Sequence, residues 1–247
     1  MRVLILGGTG EAIALAAMLH GGGHTVTTSL AGRTREPRPA LGATRVGGFG
    51  GAEGLAAYLM GKQVDVLIDA THPFAATISR NALEAARRVG VRRVALYRPP
   101  WPRNAEDKWW SVPDVAAAAA ILPAGARALL AIGRQHLAPF AARNDVEFVV
   151  RAIEPFEPPV PATVLLGRPS ADPDEERALL ERHAITHLVS RNSGGGGAAA
   201  KIVAARRAGL PVVMIDRPPP PPPPTAGSVE AVLRAVARYS GAEGSGT

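Results

Sequence analysis

Residues 2–13 read Arg2-Val3-Leu4-Ile5-Leu6-Gly7-Gly8-Thr9-Gly10-Glu11-Ala12-Ile13. Four apolar residues in succession lack the alternation of a strand with one wet face, so they predict a strand covered on both faces. The glycines that follow allow a tight turn, and the alanine-rich run from Gly10 predicts a helix. Strand, glycine turn and helix in that order open a βαβ unit. The fold class is therefore α/β with parallel sheets.

The same alternation continues outward. Strands are expected at residues 2–7, 24–29, 44–47, 64–70, 93–98 and 109–112, then at 128–132, 146–151, 163–166, 185–190 and 212–216. Helices are expected at residues 10–20, 52–60, 74–89, 115–122, 174–183, 198–208 and 228–239. Two doubly wound halves account for this count. Clustered prolines in Pro99-Pro100-Trp101-Pro102-Arg103-Asn104 continue neither helix nor inner strand, so the boundary is placed there. The domains read as 1–104, a dinucleotide-binding half, and 105–240, a substrate half, with a disordered tail at 241–247. The seven prolines at 218–224 predict a stiff polyproline II connector to the last helix; a proline-motif ligand is the other reading.

Composition narrows the function classes. The 247 residues include no cysteine, which excludes disulfides, thiolate metal sites and a cysteine nucleophile. No run approaches the about 18 apolar residues of a membrane span, and Met1-Arg2 leads straight into a strand rather than a signal-peptide core. A cytoplasmic monomer without membrane attachment is expected. The net charge of +7 favours acidic partners. Its arginines are dispersed and aromatics make up only 4%, so nucleic acid is the weaker candidate and a polycarboxylate ligand the better one. No metal site is expected: His183 and His187 straddle a helix–strand junction with no third ligand nearby.

Three loops on the first half carry chemistry. Gly8, Thr9, Gly10 and Glu11 form a phosphate loop at a helix N-terminus, where free amides receive pyrophosphate. The G-x-G-x-x-G pattern is incomplete, because Ile13 holds the third glycine position; an ordinary glycine turn is the alternative. Strand two ends Thr28-Ser29-Leu30-Ala31-Gly32-Arg33 with no carboxylate for a ribose 2′-hydroxyl. Ser29 and Arg33 suit a 2′-phosphate, which selects NADPH over NADH. The run Gly47-Gly48-Phe49-Gly50-Gly51 reads either as a loop pressed on a flat ligand, through Gly48, Phe49 and Gly50, or as a mobile connector. The segment Asp69-Ala70-Thr71-His72-Pro73-Phe74-Ala75 ends strand four on the side where parallel sheets bind ligands, so His72 faces the coenzyme crevice. His72 is the candidate catalytic residue, as proton donor, nicotinamide contact or substrate ligand; a helix-start histidine is the alternative.

In the second half, Arg134, Arg191, Asn192, Ser193, Lys201 and Arg217 follow apolar strands and make an anion-receptive junction for substrate. A flexible turn with a solvated Lys201 is the bland reading. Tyr58-x-x-x-Lys62 has the spacing of a short-chain dehydrogenase pair but lies too early in the chain.

Taken in order, Leu6-Gly7-Gly8-Thr9-Gly10-Glu11, Ser29-Leu30-Ala31-Gly32-Arg33, the run 47–51, Asp69 to Ala75, Arg98-Pro99-Pro100-Trp101, Ile132-Gly133-Arg134-Gln135-His136, Asn192-Ser193-Gly194-Gly195 with Lys201, and Val213-Met214-Ile215-Asp216-Arg217-Pro218 resemble the precorrin-6A reductase family from Met1 to Pro218. The resemblance implies two Rossmann-like parallel-sheet domains with the active site in the cleft between them. It implies hydride transfer from NADPH to one double bond of an acidic tetrapyrrole, with the coenzyme held by Gly8, Thr9, Ser29, Arg33, Gly48, Phe49 and the turn at residues 71–73. Arg191 stands where that family often has lysine, and Gly196-Gly197 and the proline run are extra. An NADPH reductase or epimerase of another small substrate, and a non-catalytic NADPH-sensing regulator, are the competing expectations.

Overall fold

A computed structural model of the chain describes residues 1–32 and 39–241. The expected Arg33 contact and the tail from residue 242 onward lie outside the described residues. The chain divides into two compact units, Met1–Pro99 with Pro218–Thr247, and Pro100–Arg217.

Unit 1 carries β1 (Arg2–Leu6), β2 (Thr25–Leu30), β3 (Ala43–Val46), β4 (Val66–Asp69) and β5 (Arg92–Leu96), joined by α1 (Gly10–Gly21), α2 (Gly51–Gly61) and α3 (Ala76–Val89). Their order in the sheet is β5-β4-β1-β2-β3, and every pairing is parallel. The unbroken apolar run of β1 has the predicted cause. Val3 and Ile5 pack with Leu15 and Leu19 of α1 on one face, while Leu4 and Leu6 pack with Leu55, Leu59, Ala82 and Ala85 of α2 and α3 on the other.

Unit 2 holds β6 (Trp109–Val112), β7 (Arg127–Ala131), β8 (Glu147–Ala152), β9 (Ala162–Leu166), β10 (His187–Arg191) and β11 (Val212–Ile215), in the parallel order β6-β11-β10-β7-β8-β9. Helices α4 (Val115–Ile121), α5 (Pro173–Arg182) and α6 (Ala200–Arg207) complete it. Leu180 of α5 and Ile202, Ala204 and Ala205 of α6 bury Leu129, Val149, Leu188 and Met214 of the sheet.

The second domain boundary differs from the expected 105–240. The segment after Arg217 belongs to unit 1, where β12 (Thr225–Ala226) becomes a sixth, edge strand beside β5. Then α7 (Val229–Gly241) places Val232 and Val236 in the core shared with Leu15 and Leu19. The proline run is the connector and also an acceptor strip. Prolines lack N–H, so they cannot sit between two strands, but their carbonyls can serve an edge. Pro224 O accepts from Ala95 N at 3.0 Å, and Pro222 O from Arg93 Nη1 at 3.2 Å. No helix among the described residues is long and apolar enough to cross a membrane.

One glycine sets how the second loop meets its helix. A Cβ on Gly54 in α2 would lie 1.7 Å from the Phe49 carbonyl oxygen, a backbone atom five residues back. An alanine in an open helix gains about 1 kcal/mol over glycine, whereas overpacking costs about 1–3 kcal/mol. Gly54→Ala is therefore expected to lower the unfolding free energy in urea titration. A gain in stability would show that the loop at residues 47–51 moves aside without cost.

Candidate functional site

The loops named from sequence all leave the carboxyl ends of parallel strands, where ligands bind in open α/β sheets. A chain of hydrogen bonds ties them. Gly7 N donates to Ser29 O at 2.9 Å, linking β1 to β2, and Gly47 N donates to Leu30 O at 2.9 Å, linking β2 to β3. Thr9 caps α1, accepting from Ala12 N at 3.2 Å while its hydroxyl donates to Ala70 O at 2.8 Å on the β4 side. The β1, β2, β3 and β4 loops thus share one rigid edge.

That edge has room for a ligand backbone. Gly8 has φ +105°, and Cβ atoms built on Gly8 or Gly10 would meet nothing within 4 Å. The same holds for Gly47, Gly48, Gly50 and Gly51, so both glycine loops border open space rather than protein. The first amides of α1 point out of such a loop and favour negative charge. Glu11 in the same turn opposes an anion, but Arg98 Nη1 pairs with its carboxylate at 3.3 Å and offsets that charge. A dinucleotide fits the cradle.

The turn after β4 is fastened from beneath. Asp69, buried at 3% exposure, accepts from Thr71 Oγ1 at 2.7 Å and Thr71 N at 3.3 Å. Arg93 approaches the same carboxylate at 3.7 Å. Desolvation lowers the Arg93 pKa, and Asp69 works against that by raising it. His72 accepts from Phe74 N at its Nδ1, 3.3 Å away, and its ring is tilted against Phe74. Pro73 follows in the same turn.

Sequence reasoning missed Arg45 on β3. In register it stands opposite Ser29 of β2. Its Nη1 donates to Ser29 Oγ at 3.0 Å and to Gly47 O at 2.7 Å, and its Nη2 donates to Gly48 O at 2.8 Å. The guanidinium lies 3.8 Å from the centroid of the Phe49 ring, whose edge meets Tyr58. Phe49 is therefore the platform of an arginine. The only signal in sequence was a cation two residues before the glycine run.

In unit 2 the structure brings most of the expected substrate residues to one place at the end of β10. Arg217 Nε donates to Asn192 O at 2.6 Å, and Ser193 Oγ donates to Arg191 O at 3.3 Å. Arg191 Nη1 lies 3.3 Å from His136 Nε2, which draws in the 3-10 turn Arg134–His136; Arg134 is exposed on it. Asn192 is not a free substrate contact. Its Oδ1 accepts from Trp101 N at 2.8 Å and its Nδ2 donates to Trp101 O at 3.2 Å, so its amide clamps the backbone of Trp101.

Lys201 is not the solvated side chain of the bland reading. It is 4% exposed, donates to Ala198 O at 3.0 Å, and lies 4.8 Å from the Trp101 ring centroid. Burial, followed by the nearby Arg151 cation, pushes its pKa down to about 7; Glu176 raises it and Arg191 lowers it. Arg151 itself is buried and grips both carboxylate oxygens of Glu176, at 2.9 and 2.8 Å. A cavity of about 190 Å³ beside this pair is lined by Arg151, Arg168, Glu175 and Glu176 together with leucines, a balance of charge that does not single out anions.

Comparison with known proteins identifies the family and agrees with the fold. Residues 2–237 match the family model described as precorrin-6x reductase CbiJ/CobK. The chain is 48% identical over 197 residues to the precorrin-6A reductase of Rhodococcus erythropolis, covering 78% of this chain and 79% of that protein. It is 45% identical over 197 residues to the precorrin-6A reductase of Rhodobacter capsulatus, covering 78% of each. A solved structure described as CobK precorrin-6A reductase superposes with a TM-score of 0.93 at 44% identity, covering 97% of both chains.

Proposed function

The chain belongs to the precorrin-6x reductase family, and on that premise we propose that it reduces one double bond of the precorrin-6A macrocycle with hydride from NADPH, giving the dihydro product precorrin-6B in cobalamin biosynthesis. The observation that carries the coenzyme half of this reading is the β2 end. Among the described residues Ser29 and Arg45 stand there, with no carboxylate, beside two glycine loops that border open space. Bound NADPH supplies the hydride, and one proton from water or a side chain balances the addition.

The chain's own residues bind and orient. Gly8, Thr9 and Gly10 offer amides and clearance to the pyrophosphate. Ser29 and Arg33 take the 2′-phosphate, and Thr71, His72 and Pro73 border the nicotinamide. Asp69 holds that turn through Thr71, and His72 is its candidate proton donor. On unit 2, Arg134, Arg191, Ser193, Arg217 and Lys201 receive acetate and propionate carboxylates, so charge steers the macrocycle and sets its orientation. Asn192 and Trp101 position that surface. The reading places the enzyme in the cytoplasm as a monomer.

The deciding experiment follows absorbance at the reduced-nicotinamide band with metal-free and cobalt-bound precorrin-6A supplied separately. One equivalent of NADPH is expected to be consumed per macrocycle reduced in at least one arm. Tight NADPH binding with no consumption in either arm would leave a coenzyme sensor instead.

A further inference from the structure

We infer that Arg45 is a specificity-determining residue of the coenzyme site, a second guanidinium that selects the 2′-phosphorylated adenosine ribose; the inference rests on the NADPH reading above. Three observations converge on it. First, register puts Arg45 directly across from Ser29, the last but one residue of β2. In a doubly wound sheet the substituent on the adenosine ribose is read at the end of that strand.

Second, the guanidinium is held before any ligand arrives. Its bonds to Ser29 Oγ, Gly47 O and Gly48 O, with the Phe49 ring against one face, fix a side chain that would otherwise lose rotamer freedom on binding. Those bonds use three of the five N–H donors of an arginine and leave two for an incoming oxygen. Third, no carboxylate among the described residues offsets its charge, whereas the buried arginines Arg93, Arg98 and Arg151 each face one. A half-buried cation with neutral acceptors only, at the edge of an open glycine loop, is arranged for a dianion.

The alternative duty is a clip that only holds the loop at residues 47–51. The two duties separate by ligand. A clip supports NADPH and NADH alike, because both lie against the same loop, while a phosphate contact concerns NADPH alone. Dissociation constants of the two coenzymes are measured by quenching of protein fluorescence, without substrate, for the native chain, Arg45→Leu and Arg45→Gln. Thermal melts are recorded alongside.

The expected result is a loss of roughly ten-fold or more in NADPH affinity, with NADH within about two-fold of native, since a charge-assisted contact is being removed. The preference should also weaken with added salt less steeply in the variants than in the native chain. Equal weakening of both coenzymes, or an unchanged NADPH constant, overturns the assignment. Arg45→Gln keeps donors for the two glycine carbonyls, so it carries the test should Arg45→Leu fail to fold. A native chain with no preference for NADPH would instead defeat the coenzyme reading itself; a native preference that survives in Arg45→Gln defeats only the role of Arg45.

Discussion

Arg33→Ala is expected to weaken NADPH by roughly ten- to hundred-fold while NADH stays within about two-fold. An arginine–phosphate contact contributes about 1.5–3 kcal/mol, and each 1.4 kcal/mol is a factor of ten in affinity. The placement follows from the sequence after β2: Ser29 is buried near the carboxyl end of that strand, and Arg33 comes four residues later with no acid between them. Titration of both coenzymes against the purified variant checks it, and matched losses would take Arg33 out of this role. On the proposal that Arg33 and Arg45 meet one phosphate, the double variant should lose less than the product of the single losses.

Replacing Lys201 should act on the other substrate. Lys201→Ala is expected to raise the KM for the macrocycle by about ten-fold, with the NADPH dissociation constant unchanged, because the proposed ammonium contact to a carboxylate is gone. Its pKa of about 7 gives a second signature. The native chain holds Lys201 charged below that pH and neutral above it, so substrate affinity should fall as pH rises through about 7 and the fall should vanish in Lys201→Met.

Stability moves the opposite way. The folded pKa lies below the ordinary value of 10.5, so between about pH 7 and 10.5 the unfolded chain binds the extra proton. Stability therefore rises with pH across that window, with a slope of at most about 1.4 kcal/mol per pH unit, and the penalty of a buried charge is fully present below pH 7. Lys201→Met packs on Trp101 without a charge and should flatten the slope. A native KM that is level from pH 6 to 9, and a Lys201→Met KM equal to it, would make Lys201 a packing residue.

Much of this architecture is legible in one dimension because its signals are local. The run Val3-Leu4-Ile5-Leu6 has no polar residue, and that alone requires cover on both faces. The glycine loops at residues 7–10 and 47–51 mark strand–helix junctions through backbone freedom. The motif at residues 69–75 falls at a strand end because the hydrophobic run before it stops at Asp69. Strand order in parallel sheets then places these loops on one edge. The resemblance to the family drew on the same positions, and the family match covers them.

What needed the tertiary structure were the facts set by partners far away in the chain. Thr225–Ala226 is too short to show any period, and it is a strand only because β5 offers an open edge. For the same reason the last helix returns to unit 1, where Val232 and Val236 find α1. Arg45, on a short exposed strand, reads as solvated until register sets it against Ser29. Lys201 on α6 reads as a substrate cation or a solvated one, until Trp101, a hundred residues earlier, covers it. Asn192 offers donors to any ligand until the backbone of Trp101 takes both ends of its amide. Periodicity and turn chemistry are properties of neighbours in sequence; the burial and pairing of a polar side chain are properties of whatever folding brings beside it.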